Sequence, residues 1–376
     1  MEPETATKSF RFYDNRQKYL TFVTTCDEKW RVAERAAKEL DSLAPEPPAL
    51  RLFDAGVGDG TVLTHLLSAM HAKFPTIPFY AAGKEISLED VRLTLEKLPD
   101  RFVEHPQTVL VLTNMNYAEA PHLRPNTVEK QEKLVFKTVG LDGESAHGFG
   151  EQLRNLSDFL TTHWQVRPSK KTGNPLYVTP TVLVIHRSDH AFALDNVIPR
   201  PDQPLADYDL ILASQPWRSR MDAEFKAHRI LAPLARALRS RGTMLGIQSR
   251  GEDPGMEIIH RIWPEEEAFP VNRHELLAAL RAELGADASQ FDLLAMSNAE
   301  SGLVYSMHTL PSELGNTIGT STLYAAWNAA VYVAQIEDER VENHTLDGKY
   351  LDATAQVLQD RGGLWFNDET FLVRRH

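Results

Sequence analysis

Three glycines and two acids carry the densest chemical signal in this chain. The run FDAGVGDGTVL places Gly56, Gly58 and Gly60 directly after a short apolar segment and directly before one of helical period. Glycine at such a turn lets the backbone bend tightly and approach a ligand closely. The helix beyond it offers free N–H groups and a partial positive charge, which suit a carboxylate or a phosphate. A glycine-rich turn alone serves several nucleotide cofactors and selects none. Asp54 stands just before the glycines, where a carboxylate can pair with an ammonium group. The spacing is Gly-x-Gly-x-Gly, whereas dinucleotide enzymes favour G-x-G-x-x-G. Glu85, in AAGKEIS, follows about 25 residues later, near the distance at which an acid accepts ribose hydroxyls. In TNMNY, Asn114 can hydrogen-bond an adenine amino group and Met115 can cover the ring. A plainer reading stands beside each: a tight turn, a helix-starting acid, loop-forming asparagines and a core methionine.

The elements that must position these residues follow from the apolar pattern. LRLFDAG, IPFYAAG, TVLVLTN, YDLILAS and GTMLGIQ are short, nearly continuous apolar runs closed by glycine or polar residues, as buried parallel strands are. Segments of helical period lie between them, at 61–70, 88–98 and the basic stretch 223–239. The alternation predicts an α/β fold: a doubly wound, mostly parallel seven-stranded sheet with right-handed crossovers and an antiparallel and helical insertion. Thr25-Cys26-Asp27-Glu28 reads as a capping box opening a helix over WRVAERAAKELDSL, which Pro45, Pro47 and Pro48 end. Residues 1–48 are thus an N-terminal helical lid, and 49–311 the binding domain with an insertion at 118–207. Residues 312–376 hold a helical insertion plus the last strand. FGEQLRNLSDFLTTHW is the expected crossover helix before YDLILAS. KLVFKTV and LYVTPTVLVIH read as an antiparallel flap, and SGLVYSMHTL with LWFNDETFLVRR as the last strand pair.

With FDAGVGDG, GKEIS, TNMNY, YDLILASQPW and RGTMLGIQ in this order, the chain resembles the class I, Rossmann-like S-adenosylmethionine-dependent methyltransferases over about residues 50–248. The resemblance implies S-adenosyl-L-methionine as cofactor. Asp54 and the backbone of Gly56 and Gly58 would hold its methionine moiety, Glu85 its ribose, and Asn114 and Met115 its adenine. The family usually has aspartate where Asn114 stands. Ser214-Gln215-Pro216-Trp217 falls beyond a strand end, where open α/β sheets bind ligands. It resembles the Asp/Asn/Ser-Pro-Pro-aromatic signature of amino-group methyltransferases, with Gln215 in place of the first proline. A structural turn with a packed tryptophan is the competing reading. Tyr13, in FYDNRQKY with Asp14, Arg16 and Tyr19, stands where many small-molecule methyltransferases carry a lid. The glycine run is also similar to that of polyamine synthases, but ILASQPW lacks the aspartate expected there for amine activation.

The chain of 376 residues has 40 Lys+Arg against 52 Asp+Glu, a formal net charge of −12. Such a surface repels phosphate backbones, so a nucleic-acid partner is disfavoured despite the basic RPSKKTGNP. Cys26 is the only cysteine, which excludes an intrachain disulfide and a cysteine-based zinc site. His186, Asp189 and His190 lack a third ligand. Ser214-Gln215 and Gln248-Ser249 stand where a magnesium-dependent enzyme of the catechol type would carry acids, so no metal is expected. The opening MEPETATKSF lacks the apolar core of a signal peptide, and the longest apolar runs fall short of the ~20 residues a membrane span needs. A soluble, cytoplasmic protein is expected. Residues 324–336 form an apolar segment suited either to a homodimer helix or to internal core. Together these features predict methyl transfer to N or O of a small-molecule acceptor. A protein or RNA amino group, or a non-methylating relative such as an aminopropyl transferase, are the alternatives.

Overall fold

The computed structural model describes residues 16–169, 174–201, 203, 206–309, 311–314, 318–344 and 348–376. Its strands in chain order are β1 (Leu50–Asp54), β2 (Phe79–Lys84), β3 (Thr108–Thr113), β4 (Val135–Leu141), β5 (Val166–Pro168), β6 (Pro175–Tyr177), β7 (Thr181–Arg187), β8 (Tyr208–Ser214), β9 (Leu238–Ser249), β10 (Phe291–Leu294), β11 (Gly302–Ser306) and β12 (Trp365–Arg375). All but β5 and β6 join one sheet, in the order β10-β12-β9-β8-β1-β2-β3-β7-β4, with β11 beside β12.

Seven strands run in the order β3-β2-β1-β8-β9-β12-β10, with β10 in the place expected for SGLVYSMHTL. The first five are mutually parallel. The long β12 runs antiparallel to β9, and β10 pairs antiparallel with β12. Two expectations need correction. KLVFKTV and the second half of LYVTPTVLVIH do not make a separate flap: β7 adds antiparallel to β3 and β4 adds parallel to β7, widening the main sheet to ten strands, while Leu176 and Tyr177 fall on β6, which pairs antiparallel with β5 apart from it. FGEQLRNLSDFLTTHW forms two helices, Ala146–Arg154 and Ser157–His163, and these carry the parallel crossover from β4 to β7 rather than the one into β8. SGLVYSMHTL does pair with LWFNDETFLVRR, as β11 with the first half of β12. The second half of β12 takes β10, whose four residues were too few to register as a strand.

Why these strands form is visible in their alternation. Leu52, Ala81, Leu110, Leu183, Leu212 and Leu245 face one apolar layer, packed by helices Thr61–Lys73 and Leu88–Lys97. Phe53, Ala82, Val111, Val184, Ile211 and Met244 face the other, packed by helix Arg273–Leu284 and the segment 227–237. With both faces covered, neither can be polar, which is the source of the continuous apolar runs. At one point the packing leaves no room at all. A Cβ on Gly83 of β2 would come 2.2 Å from Cγ2 of Val57 in the glycine turn. Gly83→Ala is therefore expected to cost roughly 1–3 kcal/mol, the usual penalty of overpacking. Chemical denaturation measures it, and an unchanged midpoint would place the turn away from β2.

A third apolar cluster lies beyond the carboxyl ends of the strands. Tyr19 and Phe22 of helix Arg16–Thr25 pack there with Trp327, Val331 and Tyr332 of helix Thr320–Val333, and with Tyr305 and Phe366. Most of segment 324–336 packs inside this cluster, with Ala326, Ala330 and Ile336 buried and Tyr324 exposed. The expected capping box is displaced. Thr25 ends the first helix, and Asp27 precedes the second, Glu28–Glu39, without capping it. Its carboxylate instead accepts the Ser306 N–H at 2.6 Å, tying the helices to β11.

Candidate active site

The carboxyl end of β1 delivers Asp54 into a buried position, 2% exposed, where Oδ1 accepts the Gly56 N–H at 3.0 Å. The turn then needs φ of +57° at Gly58 and +80° at Gly60, a region that only glycine enters cheaply. Glu85, at the end of β2, accepts the Gly58 N–H at 2.9 Å on Oε2 and the Ile86 and Ser87 N–H groups at 2.7 and 2.8 Å on Oε1. Asp54, Gly56, Gly58 and Glu85 therefore form one connected unit. Asp59 closes the turn by accepting the Thr61 N–H at 3.3 Å and pairing with Lys97.

The electrostatics of this unit are negative. Burial, with Glu85 adding to it against the Gly56 N–H and Lys29, pushes Asp54 up to about 6. Burial, Glu85 and Asp59 push Asp90 up to about 7. Lys29 is the cation held among them. Burial alone would lower it, but Glu28, Tyr19 and Asp59 outweigh that and hold it above the ordinary lysine range. Its Nζ lies 5.8 Å from the centre of the Tyr19 ring, and Tyr19 Oη accepts the Asp59 N–H at 3.2 Å. Tyr19, on the first N-terminal helix, thus touches the turn, and Lys29, on the second, lies over the Tyr19 ring. Tyr13 lies outside the described residues.

Asn114 and Met115 follow Thr113, whose carbonyl accepts the Glu85 N–H at 2.9 Å. The Asn114 amide donates to the Thr179 and His163 carbonyls at 2.9 and 3.3 Å and accepts the Thr181 N–H at 2.9 Å. It clamps the start of β7 to β3, with both amide hydrogens and Oδ1 engaged. Met115 is fully buried in the second apolar layer. These partners tie both residues into the fold. Tyr117, in the same motif, is the residue that does face the acids: Asp54 and Glu85 both act on it, with burial the main cause of its raised phenol. Its hydroxyl donates to the Pro216 carbonyl at 2.7 Å, joining the loops after β3 and β8.

Beyond β8, the Ser214 carbonyl oxygen stands 4.0 Å from where a Cβ on Gly56 would lie. Gln215 takes a φ of +47°, and its amide donates to Asp368 at 3.1 Å and Glu28 at 3.4 Å. Both Gln215 and Trp217 line a small cavity at the ends of β8 and β9, with Lys226, Gln248 and Ser249. A groove of about 690 Å³ lies beside it, over the loop after β9, and Phe269 lines both spaces.

No family model and no curated protein matches this sequence. Among solved structures it is similar to a Galdieria sulphuraria protein provisionally described as a sarcosine dimethylglycine methyltransferase (10% identity, TM-score 0.37, covering 92% of this chain and 85% of that one). A geranyl diphosphate methyltransferase with GPP and sinefungin gives 13% identity, a TM-score of 0.34 and coverage of 92% and 76%. An rRNA methyltransferase from Streptomyces viridochromogenes gives 15%, 0.25, and coverage of 58% and 74%. What decides the fold is the strand order itself, five parallel strands followed by an antiparallel β12 inserted between β9 and β10. The core is a doubly wound, mostly parallel, Rossmann-like α/β sheet.

On this fold the other sequence candidates fall outside the site. Asp189 is bound by Arg187 and His190, which hold its carboxyl well below the usual range, and His186 Nδ1 lies 3.0 Å from the Arg187 carbonyl oxygen. Among the described residues no group of three or more His, Cys, Asp or Glu could hold a metal ion, and no helix is long and apolar enough to cross a membrane. Lys29, Tyr117 and Lys226 escaped the sequence reading because no local pattern marks a lysine or tyrosine that tertiary packing will bury.

Proposed function

We propose that this protein transfers the methyl group of S-adenosyl-L-methionine to a nitrogen or oxygen atom of a small molecule. The observation that carries this reading is Asp54, buried at the end of β1 and hydrogen-bonded to the glycine turn inside a negative field. A cationic, ammonium-bearing ligand fits that field, since it would return Asp54 and Asp90 to their charged forms. When bound, the cofactor supplies a methyl group already activated on a sulfonium. Asp54 with the Gly56 and Gly58 backbone would hold the methionine moiety by its ammonium group, Lys29 would face the carboxylate, and Glu85 would hold the ribose. Tyr19 and the helix Arg16–Thr25 cover the turn and exclude water. What remains for the protein is alignment, an effect that can reach roughly 7–11 kcal/mol.

A small acceptor is supported by the groove beside Phe269. Its 690 Å³ lies within the several-hundred range typical of small-molecule sites, while the net charge of −12 works against a polyphosphate partner. A thermal-shift comparison tests the cofactor. S-adenosylmethionine should raise the midpoint, decarboxylated S-adenosylmethionine should do so less because Lys29 loses its partner, and NAD should not. Protection by NAD alone would sink the reading. Trp217→Ala is expected to spare cofactor affinity while removing turnover, since Trp217 lines the acceptor side and not the glycine turn. Equal loss of both would make Trp217 a structural residue only.

A further inference from the structure

The ten-stranded sheet ends on one side in a long strand with a single neighbour. β4 pairs with β7 alone and is the last strand of its row. At the opposite end β10 has only four residues, and shortness is one way in which proteins blunt a sheet edge. β4 uses none of the usual devices. Its seven residues, VFKTVGL, keep unbroken register with β7 and include no proline and no bulge. Lys137 is its one charged side chain, and the Nζ lies 4.8 Å from the centre of the Phe159 ring, drawn over a helix rather than along the edge.

Which backbone groups stay free follows from the ladder. The Val135 N–H donates to the Pro180 carbonyl at 2.9 Å. Alternate residues of a strand turn their N–H and C=O groups to opposite sides. Val135, Lys137, Val139 and Leu141 therefore address β7, while Phe136, Thr138 and Gly140 present their backbone groups outward. Among the described residues these outward groups have no hydrogen-bond partner. Thr138 and Gly140 are exposed and Phe136 is half-buried, so the edge is open to approach.

The outward positions are symmetric about Thr138. A second copy laid antiparallel along β4, with the two-fold axis at Thr138, sets Thr138 against the partner's Thr138 and Phe136 against the partner's Gly140. Each of these is a hydrogen-bonded pair, the kind that exchanges two N–H···O=C bonds. Phe136 meets a glycine, so no two large side chains collide, and Lys137 meets a valine, so no like charges oppose within the strands. The flanks are complementary as well. Lys133, before β4, is 62% exposed and has Glu129 as its neighbour on the chain. Asp142 and Glu144, after β4, are exposed and make no ion pair among the described residues. Antiparallel pairing brings Lys133 opposite the partner's Gly143, between those two acids. We propose that β4 is a homodimer interface, at which two copies of the chain join their sheets edge to edge. This surface is separate from segment 324–336, most of which packs internally.

Sedimentation velocity of the full chain over a range of concentrations tests the proposal. The expected result is a shift from one chain to two that stops there, because a two-fold contact closes on itself. Thr138→Lys places two ammonium groups face to face across the axis and should weaken the dimer by about tenfold or more, with an unchanged circular dichroism spectrum. A disulfide reads the register. Paired Thr138 Cα atoms stand about 5.5 Å apart, inside the roughly 4.4–6.8 Å that a disulfide spans. Thr138→Cys should cross-link on oxidation, whereas Asp142→Cys, also exposed but over ~20 Å from its symmetry mate, should not. Cys26 is buried and stays out of the reaction. The cross-link decides the matter should Thr138→Lys not fold. A single-chain mass at every concentration, species larger than two chains, an unaltered dimer in Thr138→Lys, or equal cross-linking at 138 and 142 would overturn the proposal. No cofactor enters these measurements, so their outcome leaves the methyl-transfer reading untouched.

Discussion

Asp54→Ala is expected to weaken S-adenosylmethionine binding by about 3 kcal/mol or more, roughly a hundredfold, because a buried ammonium loses its charged partner. The loss should exceed that of an ordinary hydrogen bond, about 1 kcal/mol. The raised carboxyl of Asp54, about 6 against an ordinary 3.8, adds a pH signature of definite sign. In the free protein the folded state holds this proton more tightly than the unfolded chain. Asp54 therefore costs stability above about pH 6, and that cost is relieved as pH falls toward 3.8. Ligand binding runs the other way, since an ammonium favours the carboxylate. Affinity should be flat above about pH 7 and should fall by up to about tenfold per unit below 6, with proton release on binding. Calorimetry in buffers of differing ionisation enthalpy reads both effects. Identical affinity for wild type and Asp54→Ala would remove Asp54 from the site.

Glu369→Ala is expected to destabilise the fold strongly. Glu369 and Arg273 are 2% and 4% exposed and meet at 2.8 Å. Glu369 also accepts the Arg273 backbone N–H at 2.6 Å, and Arg273 reaches the Ala295 carbonyl at 2.8 Å and Asn298. The pair thus fastens β12 to helix Arg273–Leu284 and to the loop after β10. Removing one partner strands a buried guanidinium, at a cost of about 3–5 kcal/mol. Replacing both by apolar residues of similar size should recover much of the loss. Urea denaturation distinguishes the cases, and a loss below about 1 kcal/mol would mean that water reaches the pair.

The parallel strands and the glycine turn were legible because their causes are local. A strand covered on both faces must be apolar throughout, and YDLILAS fits β8 residue for residue. Asp54 and Glu85 were legible because strand ends and turn spacing put them there. The rest depends on partners distant in sequence. Asn114 looks like a loop former until Thr179 and Thr181 arrive to engage its amide. β10, with four residues, is a strand only because β12 is long enough to receive it. Asp27 is drawn from helix capping by a stronger partner, Ser306. Lys29 and Lys226 look like solvated helix residues, and only packing of the N-terminal helices and of Trp217 makes them otherwise.

The most direct measurement is calorimetric titration of S-adenosylhomocysteine, the demethylated product, into the wild-type protein and Asp54→Ala side by side. One saturable site per chain in the wild type, lost in the variant, is the expected result. Absence of binding heat and of thermal protection in the wild type would contradict the assignment of the Asp54 and Glu85 turn as a grip for an amino-acid nucleoside.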